Sequence, residues 1–134
     1  MLNKFTTILL LTLFGIAGIA NSAEGYKCKV LMAKSLTKAG EMAKTGYSNI
    51  YVGKEFVVDI NTGRMIGAIS NGNHTAQPTV LDRGSKDQGY KVITIYKPFV
   101  SVDYLNVEEF TNSPEKPFMF IESSTVISGI CRHM

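Results

Sequence analysis

Phe56-Val57-Val58-Asp59-Ile60-Asn61-Thr62-Gly63-Arg64-Met65-Ile66-Gly67-Ala68-Ile69 carries the deciding pattern of this 134-residue chain. Two apolar runs, rich in aromatic and β-branched residues, flank a short polar stretch. Asp59 and Asn61 supply turn chemistry, and Gly63 is free to take positive φ. The pattern predicts a β-hairpin whose first strand turns Phe56, Val58 and Ile60 to one face.

The same grammar extends in both directions. Residues 26–33 alternate, with Tyr26, Cys28, Val30 and Met32 on one side and Lys27 and Lys29 on the other. Residues 90–96 place Val92, Thr94 and Tyr96 on one face and Ile93 and Ile95 on the other, so this strand is expected to be central. Pro98 breaks it. Residues 99–110 resume as a strand, and the apolar phase changes between Tyr104 and Leu105, which predicts a bulge. Residues 112–117 form a turn. Residues 118–121 and 126–131 form the last strands, with Gly129 permitting a bend. Residues 47–52 read as a further strand, and 78–81 as a short edge strand that tolerates Pro78. Residues 35–46 have Leu36, Ala39 and Ala43 at helical spacing, with Ser35 or Thr37 to cap and Gly40 against it. They predict a short helix or a structured loop.

The fold class is therefore mainly β, with about eight short antiparallel strands and one short helix near 35–45 as an option. A small barrel is favoured because closure removes exposed edges, and a two-sheet sandwich is the alternative.

The chain begins Met1-Leu2-Asn3-Lys4, runs apolar from 8 to 20 and continues Asn21-Ser22-Ala23. A basic start, an apolar core and small residues before the cut are the parts of a secretory signal peptide. Residues 1–23 are read as that signal and 24–134 as one exported domain. The apolar run is shorter than the roughly 20 residues that span a bilayer, so no membrane span is expected after cleavage. Few cysteines and a brief signal favour a bacterial protein, periplasmic or secreted.

In an oxidising compartment Cys28 and Cys131 are expected to pair. The bond would join the first strand to the last as a staple. A redox role is disfavoured because no second cysteine stands at Cys-x-x-Cys spacing.

Charge narrows the function classes. Lys4 is the one charged residue before position 24, which leaves thirteen basic and eleven acidic residues in the domain. Lys27, Lys29 and Lys34 form no patch that would neutralise a nucleic-acid backbone. His74 lies in a polar loop and His133 near the end, and no Gly-x-Ser-x-Gly occurs, so triad chemistry has little support. Glu108 and Glu109 are adjacent and would face opposite sides of a strand. Asp59 reads as a turn residue, and Asp103, Glu108 and Glu109 do not form a recognisable metal set. No phosphate loop is present. Asn73-His74-Thr75 matches a glycosylation acceptor, relevant only in a host that glycosylates exported chains. No cofactor is implied.

What remains points to recognition. The leading expectation is a non-enzymatic exported binding module for a protein partner, for instance an enzyme to be inhibited. Its loops would be 70–77 and 82–89, with Asn71, Asn73, His74, Arg83 and Lys86 as candidate contacts. The alternative is a carrier of a small apolar ligand lined by Tyr47, Tyr51, Tyr90, Tyr96 and Tyr104. A surface structural role, or a weak enzyme using Asp59, Asp103 or Glu108, completes the set.

Overall fold

Period-two alternation governs the backbone over most of its length. The computed structural model describes residues 24–73 and 76–134; the expected signal peptide, and His74 with Thr75, lie outside the described residues. Among the described residues there are nine strands and one helical turn. They are β1 (Gly25–Leu36), β2 (Met42–Ala43), α1 (Gly46–Asn49), β3 (Glu55–Asp59), β4 (Met65–Gly67), β5 (Ala76–Arg83), β6 (Tyr90–Tyr96), β7 (Ser101–Val107), β8 (Lys116–Glu122) and β9 (Thr125–His133). All pairings are antiparallel, in one sheet ordered β4-β3-β1-β9-β8-β7-β6-β5, with β2 added on β1. The sheet curls into a barrel-like shell. The core is thus enclosed by one sheet and not by two stacked ones.

The inner face explains the curl. Tyr26, Tyr90, Phe56, Phe120, Leu105 and Ile127 are all fully buried inside it. Each such side chain contributes roughly 1.5–3 kcal/mol of transfer free energy. The predicted hairpin forms as β3 and β4, with Phe56 and Val58 inside. Gly63 has φ +74°, and a Cβ there would meet Val92 on β6 at 2.7 Å. The turn therefore packs directly against the far side of the sheet.

The end strands β4 and β5 share no ladder, and side chains close the seam between them. Asn71 Oδ1 accepts from the Met65 backbone N–H at 2.7 Å, and Nδ2 donates to the Gly63 carbonyl and to Thr94 Oγ1, both at 3.0 Å. The Tyr90 hydroxyl donates to the carbonyls of Ile60 at 3.1 Å and Asp59 at 3.3 Å.

Cys28 and Cys131 are joined by a disulfide between directly opposed residues of β1 and β9, with Cα atoms 3.9 Å apart. Both are buried in the core.

Six local expectations need correction. Residues 37–41 form a tight turn between β1 and β2, with Gly40 at φ +81°, and the helical turn falls at Gly46–Asn49. Thr45 caps that turn through a reciprocal capping box with Ser48, which outweighs the strand-like Tyr-x-x-x-Tyr-Val pattern of residues 47–52. Met32 is exposed, because the β1–β9 register shifts between Val30 and Met32 and moves Ala33 inward. The bend assigned to Gly129 is the other side of that bulge: a Cβ there would lie 2.0 Å from the Lys29 carbonyl oxygen. β5 runs for eight residues and takes in 76–77 and 82–83, which shortens both polar loops. β7 pairs with β6 in unbroken register, so no bulge separates Tyr104 from Leu105. The apparent phase change arises because Asp103, a polar residue, holds the inward position.

Two measurements test this frame. Replacing Cys28 and Cys131 by Ser should lower unfolding free energy by roughly 2–5 kcal/mol; equal urea midpoints with and without reductant would contradict the staple. Asn71→Ala should cost about 1–3 kcal/mol by leaving buried partners unsatisfied, and a midpoint unchanged from wild type would remove Asn71 from the seam.

Candidate functional site

A curled antiparallel sheet has two mouths, and the inward phase of each strand decides what lines them. The first mouth collects the start of β1, the end of β9, and the turns 60–64, 84–89 and 108–115. The second collects the end of β1, the 46–54 segment, residues 68–70, and the turns 97–100 and 123–124.

The first mouth holds the larger cleft, about 770 Å³, lined in part by Tyr26, Arg83, Lys86, Glu109, Lys116 and His133. Its polar groups satisfy one another. Glu109 accepts from the Tyr26 hydroxyl at 2.5 Å, and His133 Nε2 lies 2.9 and 3.0 Å from the two carboxylate oxygens. The Tyr26 and His133 rings pack with centroids 4.7 Å apart. Lys116 Nζ donates to the carbonyls of Glu109 and Thr111, at 3.0 and 2.5 Å. Arg83 donates to Asn61 Oδ1 at 2.9 Å. Burial works to raise the Glu109 carboxyl, but the hydrogen bonds from Tyr26 and His133 and the charges of His133 and Lys116 outweigh it and hold it below its ordinary range. This constellation ties the last strand to the first and leaves little unsatisfied.

The second mouth differs. Its cleft, about 360 Å³, is lined by Tyr51, Ile69, Tyr96, Ser101, Asp103, Phe120 and Glu122, with Ala68, Ser70 and Ser123 at its margin. Tyr96, Ser101, Asp103 and Glu122 continue the inward phases of β6, β7 and β8 to the rim. Asp103 and Glu122 are direct partners across the β7–β8 ladder. Their side chains therefore leave the same face only about 5 Å apart at Cβ.

Asp103 is 5% exposed, and its Oδ1 is buried with no hydrogen-bond partner. Burial pushes its carboxyl above the ordinary range; the Tyr96 hydroxyl opposes this and the Glu122 charge adds to it. Glu122 accepts from the hydroxyls of Tyr47 and Tyr51, each at 3.3 Å. Those two rings meet edge to face, with centroids 5.8 Å apart. Burial raises the Tyr51 and Tyr96 hydroxyls, with the neighbouring carboxylates adding to it, so both stay protonated donors. Among the described residues no lysine, arginine or histidine forms an ion pair with either acid. No three His, Cys, Asp or Glu side chains of the described residues converge to hold a metal.

The candidate residues distribute unevenly. Arg83 and Lys86 line the first cleft, whereas Asn73 lies in a separate groove with Arg64, Met65, Ile66, Ser70 and Gly72, so the candidate contacts of the two loops share no cleft. Asn71 is a buried strut, and His74 lies outside the described residues. Tyr47, Tyr51 and Tyr96 gather at the second mouth. Tyr90 is in the core beneath the first mouth, and Tyr104 sits half-buried on the outer face opposite Ile93 and Ile121. The five tyrosines thus line no common cavity. Sequence reasoning passed over Glu122, although Phe118, Phe120 and Glu122 alternate on one face. His133 is exposed as expected, but its contact with Glu109 was not foreseen.

No protein family matches the chain, and no curated protein or solved structure matches it either. Geometry and chemistry alone must select the site, and the unsatisfied carboxylate selects the second mouth.

Asp103→Asn should therefore stabilise the fold. A folded-state pKa raised above the unfolded value means that the native state holds the proton more tightly, so stability is lost as pH rises through that range. The variant should gain about 1 kcal/mol at neutral pH and almost nothing below the unfolded carboxyl pKa of about 4. Thermal melts at both ends of that range check it, and a destabilised variant at neutral pH would show that Asp103 is paired after all.

Proposed function

We propose that this chain is a non-enzymatic, exported binding module that captures a protein partner with its second mouth and the apolar rim beside it. One observation carries the reading: Phe99 is 89% exposed and Val100 is 75% exposed, at the tip of the β6–β7 hairpin. Ile95 and Val102, cross-strand partners on the outer side of that hairpin, continue the patch. Tyr47 and Ile50 stand exposed on the 46–54 segment, across the cleft. Isolated exposed apolar residues are ordinary, whereas a contiguous apolar patch beside a polar cleft marks an interaction surface. A projecting aromatic on a rigid hairpin suits a concave partner, such as the cleft of an enzyme to be inhibited.

Export follows from the signal pattern at 1–23, and the disulfide is compatible with an oxidising compartment. The packed core favours a surface contact over a small apolar cargo inside the shell. The clefts open at the ends, away from the residues that fill the middle.

The test starts from the exported fraction of the host. A partner retained on the immobilised protein is identified by mass spectrometry, purified and titrated calorimetrically. Phe99→Ser with Val100→Ser should weaken binding by on the order of thirtyfold or more, the scale of a lost anchor, at unchanged melting temperature. Lys86→Ala, at the opposite mouth, should change nothing. Equal affinity of the Phe99/Val100 variant and the wild type would overturn the reading.

A further inference from the structure

We infer that the second mouth receives a lysine or arginine side chain of the protein partner, seated between Asp103 and Glu122 and flanked by Tyr51 and Tyr96. The inference rests on the docking surface proposed above and specifies what enters the cleft beside it.

Four features converge on a cation. Asp103 is one of the residues lining the cleft, and its Oδ1 is buried without a partner; such a group costs stability unless something supplies its missing donor. Glu122 lines the same cleft from the neighbouring strand. Its hydrogen-bond partners are tyrosine hydroxyls, which leave its charge uncompensated. An anion entering here would meet two like charges, and a neutral group would leave them unbalanced. An ammonium or guanidinium brings three to five N–H donors and the opposite charge at once. The walls suit the rest of such a side chain. Tyrosine rings attract cations to their faces, and Ile69 and Phe120 offer apolar surface for an alkyl stem.

The apolar tip adds the remaining element. Phe99 and Val100 close over a partner next to the cleft and exclude water there, and a charge pair gains most where it is shielded from solvent. Asp103 and the tip belong to the same hairpin, four residues apart from Phe99, so the cleft and its cover move as one piece.

The probes are ethylguanidinium and n-butylammonium, with n-butanol as the neutral control. They are titrated into the ¹⁵N-labelled protein while amide shifts are followed. Both cations should produce saturable shifts confined to Tyr96, Ser101, Asp103, Phe120, Glu122 and their neighbours. n-Butanol should not. Asp103→Asn with Glu122→Gln should abolish the response while retaining a native spectrum, whereas the Phe99/Val100 variant should keep it. Shifts absent with both cations, reproduced by n-butanol, or undiminished in the Asp103/Glu122 variant would overturn the inference.

The identified partner separates this inference from the one it rests on. The Asp103/Glu122 variant should bind the partner at least about tenfold more weakly, as expected on removing a shielded charge contact. Affinity lost with the Phe99/Val100 variant but kept with the Asp103/Glu122 variant would sink the cation seat and leave the docking surface standing. Affinity kept in both would sink the two together.

Discussion

The pairing of β1 with β9 is the constraint on which the rest of this molecule depends. It places the first strand of the domain beside the last and fixes the pair with the Cys28–Cys131 bond, across a sequence separation of 103. Every other strand must then be accommodated on one side or the other of this pair. β8, β7, β6 and β5 extend one flank as a simple meander, and β3 and β4 extend the other. The free edges of the two flanks curl toward each other because Tyr26, Phe56, Tyr90 and Phe120 all need the same interior. Closing so long a loop is entropically costly, and a covalent link that restricts the unfolded chain offsets part of that cost.

A curled sheet of this kind cannot bury its strand ends as well as its middle. Inward positions near the rims therefore tend to become polar, and the energetic question is how those groups are satisfied. At the first mouth they satisfy one another through Tyr26, Glu109, His133 and Lys116. At the second mouth the same geometry yields two carboxylates, three tyrosine hydroxyls and, among the described residues, no ion-paired cation. Both arrangements are polar and both are partly buried. Among the described residues only the second leaves a buried side-chain oxygen without a partner, and an unsatisfied buried group in a native fold calls for an explanation such as a functional role. The size of the clefts runs the other way, since the larger one is at the self-satisfied mouth. Unsatisfied chemistry is the better guide here, because volume alone recruits no ligand.

Much of the fold was legible because apolar residues keep the period of the strand. The hairpin around Asn61 to Gly63, the 90–96 strand and the pairing of Cys28 with Cys131 all follow from alternation, turn chemistry and compartment. Legibility failed where a polar residue held an inward position or a local cap outweighed the pattern. Asp103 broke the apparent phase of β7 and was mistaken for a bulge, although the ladder there is regular. Thr45 and Ser48 folded a tyrosine-rich stretch into a helical turn through two reciprocal hydrogen bonds. The real bulge, at Val30 and Met32, left no mark in β1 itself and is legible only from Gly129 on the opposite strand. The candidate site suffered most from these errors. Its acids and tyrosines come from four separate segments, and each is placed by register, which a single sequence does not display.

Register also explains why the tip and the cleft belong together. β6 and β7 pair without interruption from Tyr90 and Val107 to Tyr96 and Ser101. Along this ladder one face points to the interior and ends at Tyr96, Ser101 and Asp103. The other points to solvent and ends at Ile95 and Val102. The turn beyond carries Phe99 and Val100. A single hairpin thus presents polar groups to the mouth and apolar groups to the outside, with no loop in between to blur their relation. Under the proposed docking, a partner that contacts the outer face would be brought to the rim of the inner one, and one hairpin would read both shape and charge. In the free protein that element carries exposed apolar area on one side and an uncompensated carboxylate on the other. In the proposed contact, burial of the first and pairing of the second would both be favourable, and the hairpin that bears them would couple the two halves of the site.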